Sequence, residues 1–167
     1  MSLIIADDFT GKYEVHISQF TADKLQEYID RYETSILNKL LGVELYNLFI
    51  ADIVLPIPSP IYDKIFLPFI EQTEHGEILE SKGMKDLLTG MIYFYYVRDQ
   101  YTQMSTLGAV KNKGENSEST TYVMSGLNAR WNEAVETYHS IQRYIELNKE
   151  VDYPTFKGLR EYPALAL

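Results

Sequence analysis

The feature that most constrains this chain is the segment opened by Gly83. Met84, Leu87, Leu88, Met91, Ile92 and Tyr95 trace one broad apolar stripe at helical spacing, and Tyr93, Phe94, Tyr96 and Tyr101 widen it round the cylinder. A helix apolar on most sides has to be buried on several faces. It therefore belongs at the centre of a bundle, and the rest of the chain must supply the elements that cover it. The pattern predicts this helix to run from residue 83 to about Met104.

Two further segments supply the cover. Leu25, Tyr28, Ile29, Tyr32, Ile36, Leu37, Leu40 and Leu41 recur at helical spacing, with Thr21 placed as an N-cap, Phe20 placed to staple onto Leu25, and Gly42 placed as a C-terminal stop. This predicts a helix over 22–41. Leu127, Trp131, Val135, Tyr138, Ile141 and Ile145 mark the buried stripe of a last long helix, from about Thr121 to about Lys149. Val43 to Ala51, with Leu45, Leu48 and Phe49, reads as a short helix turning a corner at Gly42. Pro56, Pro58, Pro60 and Pro68 then forbid a long helix, because each removes an amide donor and fixes φ. Residues 52–82 are expected to be a loop region with a short helix near 59–66 and a weak strand pair flanking Glu74-His75-Gly76. The resulting fold class is mainly α: one domain over 1–167, a small helical bundle of three to four main helices with a proline-rich loop region and a minor β-hairpin. Residues 1–20 form an N-terminal arm, 111–120 a polar, mobile loop, and 151–167 a C-terminal tail.

Composition narrows the function. The chain has 167 residues and no cysteine, which excludes disulfides, thiolate metal sites and cysteine nucleophiles. With 24 acidic and 15 basic residues it carries a net charge of −9, which disfavours tight binding to nucleic-acid phosphates. The N-terminus lacks the basic region and long apolar run of a signal peptide, and no stretch approaches the roughly 20 apolar residues of a membrane span, so a cytoplasmic protein is expected. Fourteen tyrosines supply side chains with an apolar ring and a polar tip, suited to partly wet contacts.

Motifs of catalysis are missing. Gly11-Lys12 lacks the upstream glycine of a phosphate loop, and there is no Gly-x-Gly-x-x-Gly, His-Glu-x-x-His, EF-hand loop or Gly-x-Ser-x-Gly elbow. The three histidines, His16, His75 and His139, fall in three separate segments. Glu136 and His139 have the Glu-x-x-His spacing of di-metal bundles, but no second pair exists, and Glu136 points about 140° from Trp131 on a helical wheel, towards water. Glu71, Glu74, Glu77 and Glu80 lack the spacing of a calcium loop and read as a solvated acidic loop. Arg98, beside Asp99, falls near the apolar stripe of the central helix and is expected to form a structural ion pair. No catalytic, cofactor or metal residue is assigned, and no enzyme activity is expected.

There remains an excess of apolar and aromatic surface, which points to protein partners. The tail carries Tyr153, Phe156 and Tyr162 without helical rhythm, and such a tail wraps its own domain, docks on a neighbour or is a disordered end; docking in either form is expected, since the aromatics would otherwise sit in water. The pattern Tyr28-Ile29-x-x-Tyr32-Glu33-x-x-Ile36-Leu37-x-x-Leu40-Leu41-Gly42-x-x-Leu45-Tyr46 is followed by Gly83-Met84-Lys85-x-Leu87-Leu88 leading into Tyr93-Phe94-x-Tyr96-Val97. Then come Thr106-x-Gly108-x-Val110, a polar loop and a helix bearing Trp131. Over about residues 20–145 this order resembles the head–tail connector (adaptor, head-completion) proteins of tailed phages and prophages. The resemblance implies a helical subunit without a catalytic residue that assembles into a homo-oligomeric ring below the portal, often monomeric until its partner appears. The implied partners are the portal and the tail-side neck proteins, and DNA passes through the ring without being gripped. The implied location is the virion neck, reached from the host cytoplasm. In that setting the loop 111–120, with Lys111 and Lys113, faces the lumen or the next ring, and Tyr153, Phe156 and Tyr162 latch onto a neighbouring subunit or the portal. The other reading of the same residues is a small cytoplasmic helical module that binds a protein or peptide without catalysis.

Overall fold

The computed structural model describes residues 2–15, 19–105, 108–111 and 120–165. Five α-helices and two antiparallel strand pairs succeed one another: α1 (Gln19–Leu41), α2 (Val43–Ile53), α3 (Pro60–Phe66), β1 (Phe69–Gln72), β2 (Ile78–Ser81), α4 (Met84–Tyr101), β3 (Thr102–Ser105), β4 (Gly108–Lys111) and α5 (Thr120–Leu147). The protein is mainly α, as the periodicity predicts.

The central place of α4 is set by its sequence. Met84, Leu87, Leu88, Met91 and Ile92 are fully buried, and Tyr93, Phe94 and Tyr96 nearly so. Its main neighbours are α5 on one side and α1 on the other. The closest approach lies at Gly90. A methyl group there would stand 2.8 Å from the Tyr13 hydroxyl and 3.0 Å from Ala134 Cβ of α5. From α1, Leu25, Ile29, Ile36, Leu37, Leu40 and Leu41 enter the core, and from α5 Leu127, Trp131, Ala134, Val135, Tyr138, Ile141 and Ile145. These are the residues that the two amphipathic stripes select.

The corner between α1 and α2 turns on Gly42, at φ +78°, a left-handed conformation that glycine adopts without strain. Its N–H donates to Asn38 O (2.9 Å), and its own carbonyl accepts the N–H of Tyr46 (2.9 Å). The prolines shape the next segment. Pro60 occupies the first turn of α3, where its missing N–H costs nothing. Leu67, which precedes Pro68, is extended and ends α3. The strand pair expected around Glu74-His75-Gly76 forms in the register Phe69↔Ser81, Ile70↔Glu80, Glu71↔Leu79, Gln72↔Ile78. Phe69, Leu79 and Ser81 turn inward, and β2 lies on α5.

Three boundaries differ from the sequence reading. Helix α1 begins at Gln19, so Thr21 lies inside the first turn and does not cap it. The aromatic helix ends at Tyr101, and Thr102–Ser105 pairs with Gly108–Lys111 in a second hairpin, with Met104↔Ala109 and Ser105↔Gly108 opposite. Helical rhythm is indistinct near a helix end, and four-residue strands are too short to announce themselves by alternation. The arm is not separate from the bundle: Ile4, Phe9 and Tyr13 are buried in the core, with two short 3-10 turns at 6–8 and 11–13 between them.

Candidate assembly surface

The tail carries three of the five residues singled out as interface. Tyr153 is 1% exposed and Phe156 6%, both within the core of their own chain. The Tyr153 hydroxyl donates to Ile61 O (2.6 Å), which ties the tail to α3. Tyr162 is half-buried, edge-on to Tyr138 (ring centroids 4.9 Å apart) and to Trp131 (5.9 Å), with Lys39 Nζ 3.7 Å from its ring centre. Burial raises the phenols of Tyr138 and Tyr153 well above their ordinary value and pushes Tyr162 up to about 12. Tyr153 and Phe156 thus wrap their own domain and have no surface left to latch onto a neighbour, whereas Tyr162 keeps part of its ring exposed. Tyr153 also stands edge-on to Tyr144 of α5 (ring centroids 6.3 Å apart), so Tyr153 and Phe156 bury their surface at home. Removing 151–167 would strip two rings from the core. Loss of assembly after such a truncation would then reflect lost stability as well as lost contacts.

Of the two lysines, Lys111 is the last residue of β4, and Lys113 lies outside the described residues. The loop expected over 111–120 lies outside them too, save for its two ends.

The exposed apolar surface is concentrated elsewhere. Helix α2 buries Leu45 and Phe49 on one side, while Val43, Leu48 and Ala51 face outward on the other. At 100° per residue these outward positions fall on one face about 140° wide, which also holds the exposed Glu44 and Asn47, and Val54 and Leu55 continue it past the last turn. Ile57 comes next, at 86% exposure. The segment is held by its own geometry: Asp52 Oδ1 accepts the backbone N–H of Ser59 (2.7 Å), closing the loop across Pro56 and Pro58. A second exposed apolar pair, Ile70 and Ile78, stands on the outer face of the β1–β2 hairpin. The proline count and the Leu45/Leu48/Phe49 spacing locate α2, but no periodicity tells which apolar residues of so short a helix face out.

Remaining candidates behave as ordinary surface. Glu136 is exposed on α5, as the wheel predicts, and His139 is exposed beside it. His75 sits exposed in the β1–β2 turn, and His16 is outside the described residues. The four glutamates are split between the two strands and their turn. Glu71 pairs with Lys64, Glu77 with Arg143 (3.3 Å), and Glu74 and Glu80 are exposed. Arg98 pairs with Asp99 (2.8 Å), and Tyr28 donates its hydroxyl to the same carboxylate (3.1 Å). Arg98 is exposed, at the rim of the α4 stripe and not beneath it. Among the described residues no group of three or more His, Cys, Asp or Glu could hold a metal ion. A groove of 610 Å³ runs between β2, α5 and the tail, bordered by Glu77, Leu79, His139, Arg143, Arg160 and Tyr162. Its mixed charges do not converge on one point. No helix among the described residues is long and apolar enough to cross a membrane.

Neither a family model, nor a curated protein, nor a solved structure matches this chain.

Proposed function

We propose that this chain is a structural subunit that assembles with copies of itself into a ring of the head–tail connector type, on a portal and beneath a tail-side neck protein, without catalysis. The single observation that supports this reading is the outward apolar face of α2, continued by Val54, Leu55 and Ile57 on a loop pinned by Asp52 and stiffened by prolines. Such a knob has little conformational entropy left to lose on docking. It offers apolar side chains with Glu44 and Asn47 exposed among them, Glu44 already paired with Lys157 (3.0 Å), and such a mixed patch suits a protein neighbour. A net charge of −9 per subunit keeps the lining of such a ring from gripping a passing duplex.

The test is electron microscopy of the chain coexpressed with the portal gene of its own genome, with light scattering of the chain alone. Rings, free or seated on the portal, are the expected result. A monomer that never joins the portal would overturn the proposal. One observation favours the second reading, a peptide-binding module: α5 already holds an extended segment, its own tail, through side chains aimed at that segment's backbone.

A further inference from the structure

Two parts of the tail are fixed in different ways. Residues 153–156 are anchored by buried rings, Tyr153 and Phe156. Residues 159–165 form neither helix nor strand; α5 holds their backbone at residues 160, 163 and 165, while the Arg160 guanidinium packs on Gly42 and Leu165 packs against the core. Trp131 Nε1 donates to Pro163 O (2.9 Å). The Asn132 carboxamide donates to Leu165 O and accepts from Leu165 N, both at 2.8 Å, as an adjacent strand would. Gln142 Oε1 accepts the N–H of Arg160 (2.9 Å), while its Nε2 is held by Leu40 O (2.9 Å). Tyr162 is the one ring of this stretch, and Leu159, Glu161, Pro163 and Ala164 are exposed.

Between the two parts stands Gly158, at φ +104°, with no atom within 4 Å of where a Cβ would be. Glycine takes this positive φ without strain, so Gly158 is the joint between the anchored part and the gripped part. Backbone recognition is indifferent to which chain supplies the peptide. A second copy's 159–165 would make the same four hydrogen bonds and place the same Tyr162 beside Trp131 and Tyr138. Exchange of an element about a hinge conserves its contacts and leaves chain entropy as the main cost. That cost falls when another surface already holds the copies together.

We propose that the strap 159–165 is exchangeable: in the assembled protein it leaves its own α5 at Gly158 and lies in the α5 groove of a second copy. This rests on the self-assembly reading above and adds the segment and the groove that link the copies.

The test exploits the absence of cysteine from the chain. Ala164→Cys, at an exposed strap position, is labelled with benzophenone maleimide in isotopically heavy protein. It is co-refolded with an equal amount of light, unlabelled chain, irradiated and read by mass spectrometry. With exchange, heavy straps crosslink to light and heavy α5 peptides alike, and mixed crosslinks approach half of the total. Crosslinks to α5 that are all heavy-to-heavy, or mixed crosslinks that miss α5, would overturn the exchange. Should the labelled variant lose the far-ultraviolet helix signal of the parent, Glu161→Cys, also exposed, replaces it. Electron microscopy of the same mixture with the portal separates the two ideas. Rings with all-heavy crosslinks retain assembly and remove exchange, whereas mixed α5 crosslinks without rings retain exchange and remove the connector reading.

Discussion

At the residue scale, the sharpest case is Glu33, a buried carboxylate that pairs with no cation among the described residues. It accepts Ser2 Oγ (2.6 Å), Leu3 N–H (3.0 Å) and Ile4 N–H (3.3 Å), and so fastens the N-terminal arm onto α1. Glu33→Ala would leave those amides without a partner. A loss of about 1–3 kcal/mol is expected in urea unfolding, with faster hydrogen exchange confined at first to residues 2–15. An unchanged midpoint would refute the clamp. Glu133 is the opposite case, exposed but flanked by Lys12 (2.7 Å) and Lys82 (3.0 Å). The hydrogen bond from Lys12 is the largest effect and holds its carboxyl below the ordinary 4.5; burial, the next largest, opposes it, and the hydrogen bond from Lys82 adds to the lowering. Its contribution is therefore present above pH 4.5 and is lost as pH falls through the lower folded value. At this exposure it is worth only about 0.2–1 kcal/mol, so Glu133→Gln should lower stability by that amount at neutral pH, leave the most acid end unchanged and so flatten the acid limb of a stability–pH curve slightly. The buried tyrosines act at the other end. Desolvation raises Tyr162 from 10.0 to about 12, and Tyr13, Tyr138 and Tyr153 shift in the same direction. A raised folded value stabilises below pH 10 and is lost as pH climbs through 12. Phenolate absorbance from these rings should then appear together with loss of helix. Full ionisation near pH 10 with the helix signal intact would contradict their burial.

At the element scale, the α4–α5 interface decides the packing. Gly90→Ala tests two opposed effects. Alanine favours a helix interior by about 0.5–1 kcal/mol, but its methyl would press on the Tyr13 hydroxyl and on Ala134. Ala134 Cβ is fixed to a helix that cannot yield without opening the core, so overpacking wins. A net loss of about 1–3 kcal/mol is expected by thermal unfolding. Stabilisation would mean that the helices lie farther apart than described. The stripes of α1, α4 and α5 were legible in the sequence because 3.6-residue periodicity over 18 or more residues leaves few alternatives. The β3–β4 hairpin was not, since its short strands succeed an aromatic run that propensity extends as helix. Gly108 beside Val110 was the one signal available.

At the scale of the whole molecule, the question is which apolar surface the chain keeps for partners. The structure assigns the tail aromatics to the fold and leaves the α2 face open. Leu48→Glu combined with Ile57→Glu should change unfolding stability by less than about 1 kcal/mol, since both side chains are exposed, yet abolish rings on the portal. Rings that survive the double substitution would remove α2 from the assembly surface. Phe156→Ala should do the reverse, costing about 3–5 kcal/mol in unfolding experiments because it empties a core position.

The sequence by itself determined the helical class, the central position of α4, the corner at Gly42, the break imposed by four prolines and the β1–β2 turn. Each of these arises from short-range sterics, hydrogen-bond supply or a periodicity confined to one segment. Only the tertiary structure decided that Tyr153 and Phe156 face inward, that Glu33 receives the N-terminal arm, that Arg98 lies at the rim of α4, and that Val43 and Leu48 of α2 stay exposed while Leu45 and Phe49 are buried. Those outcomes depend on which surfaces remain uncovered once all five helices have packed. A tyrosine that closes a core and one that waits for a partner carry the same signal in one dimension.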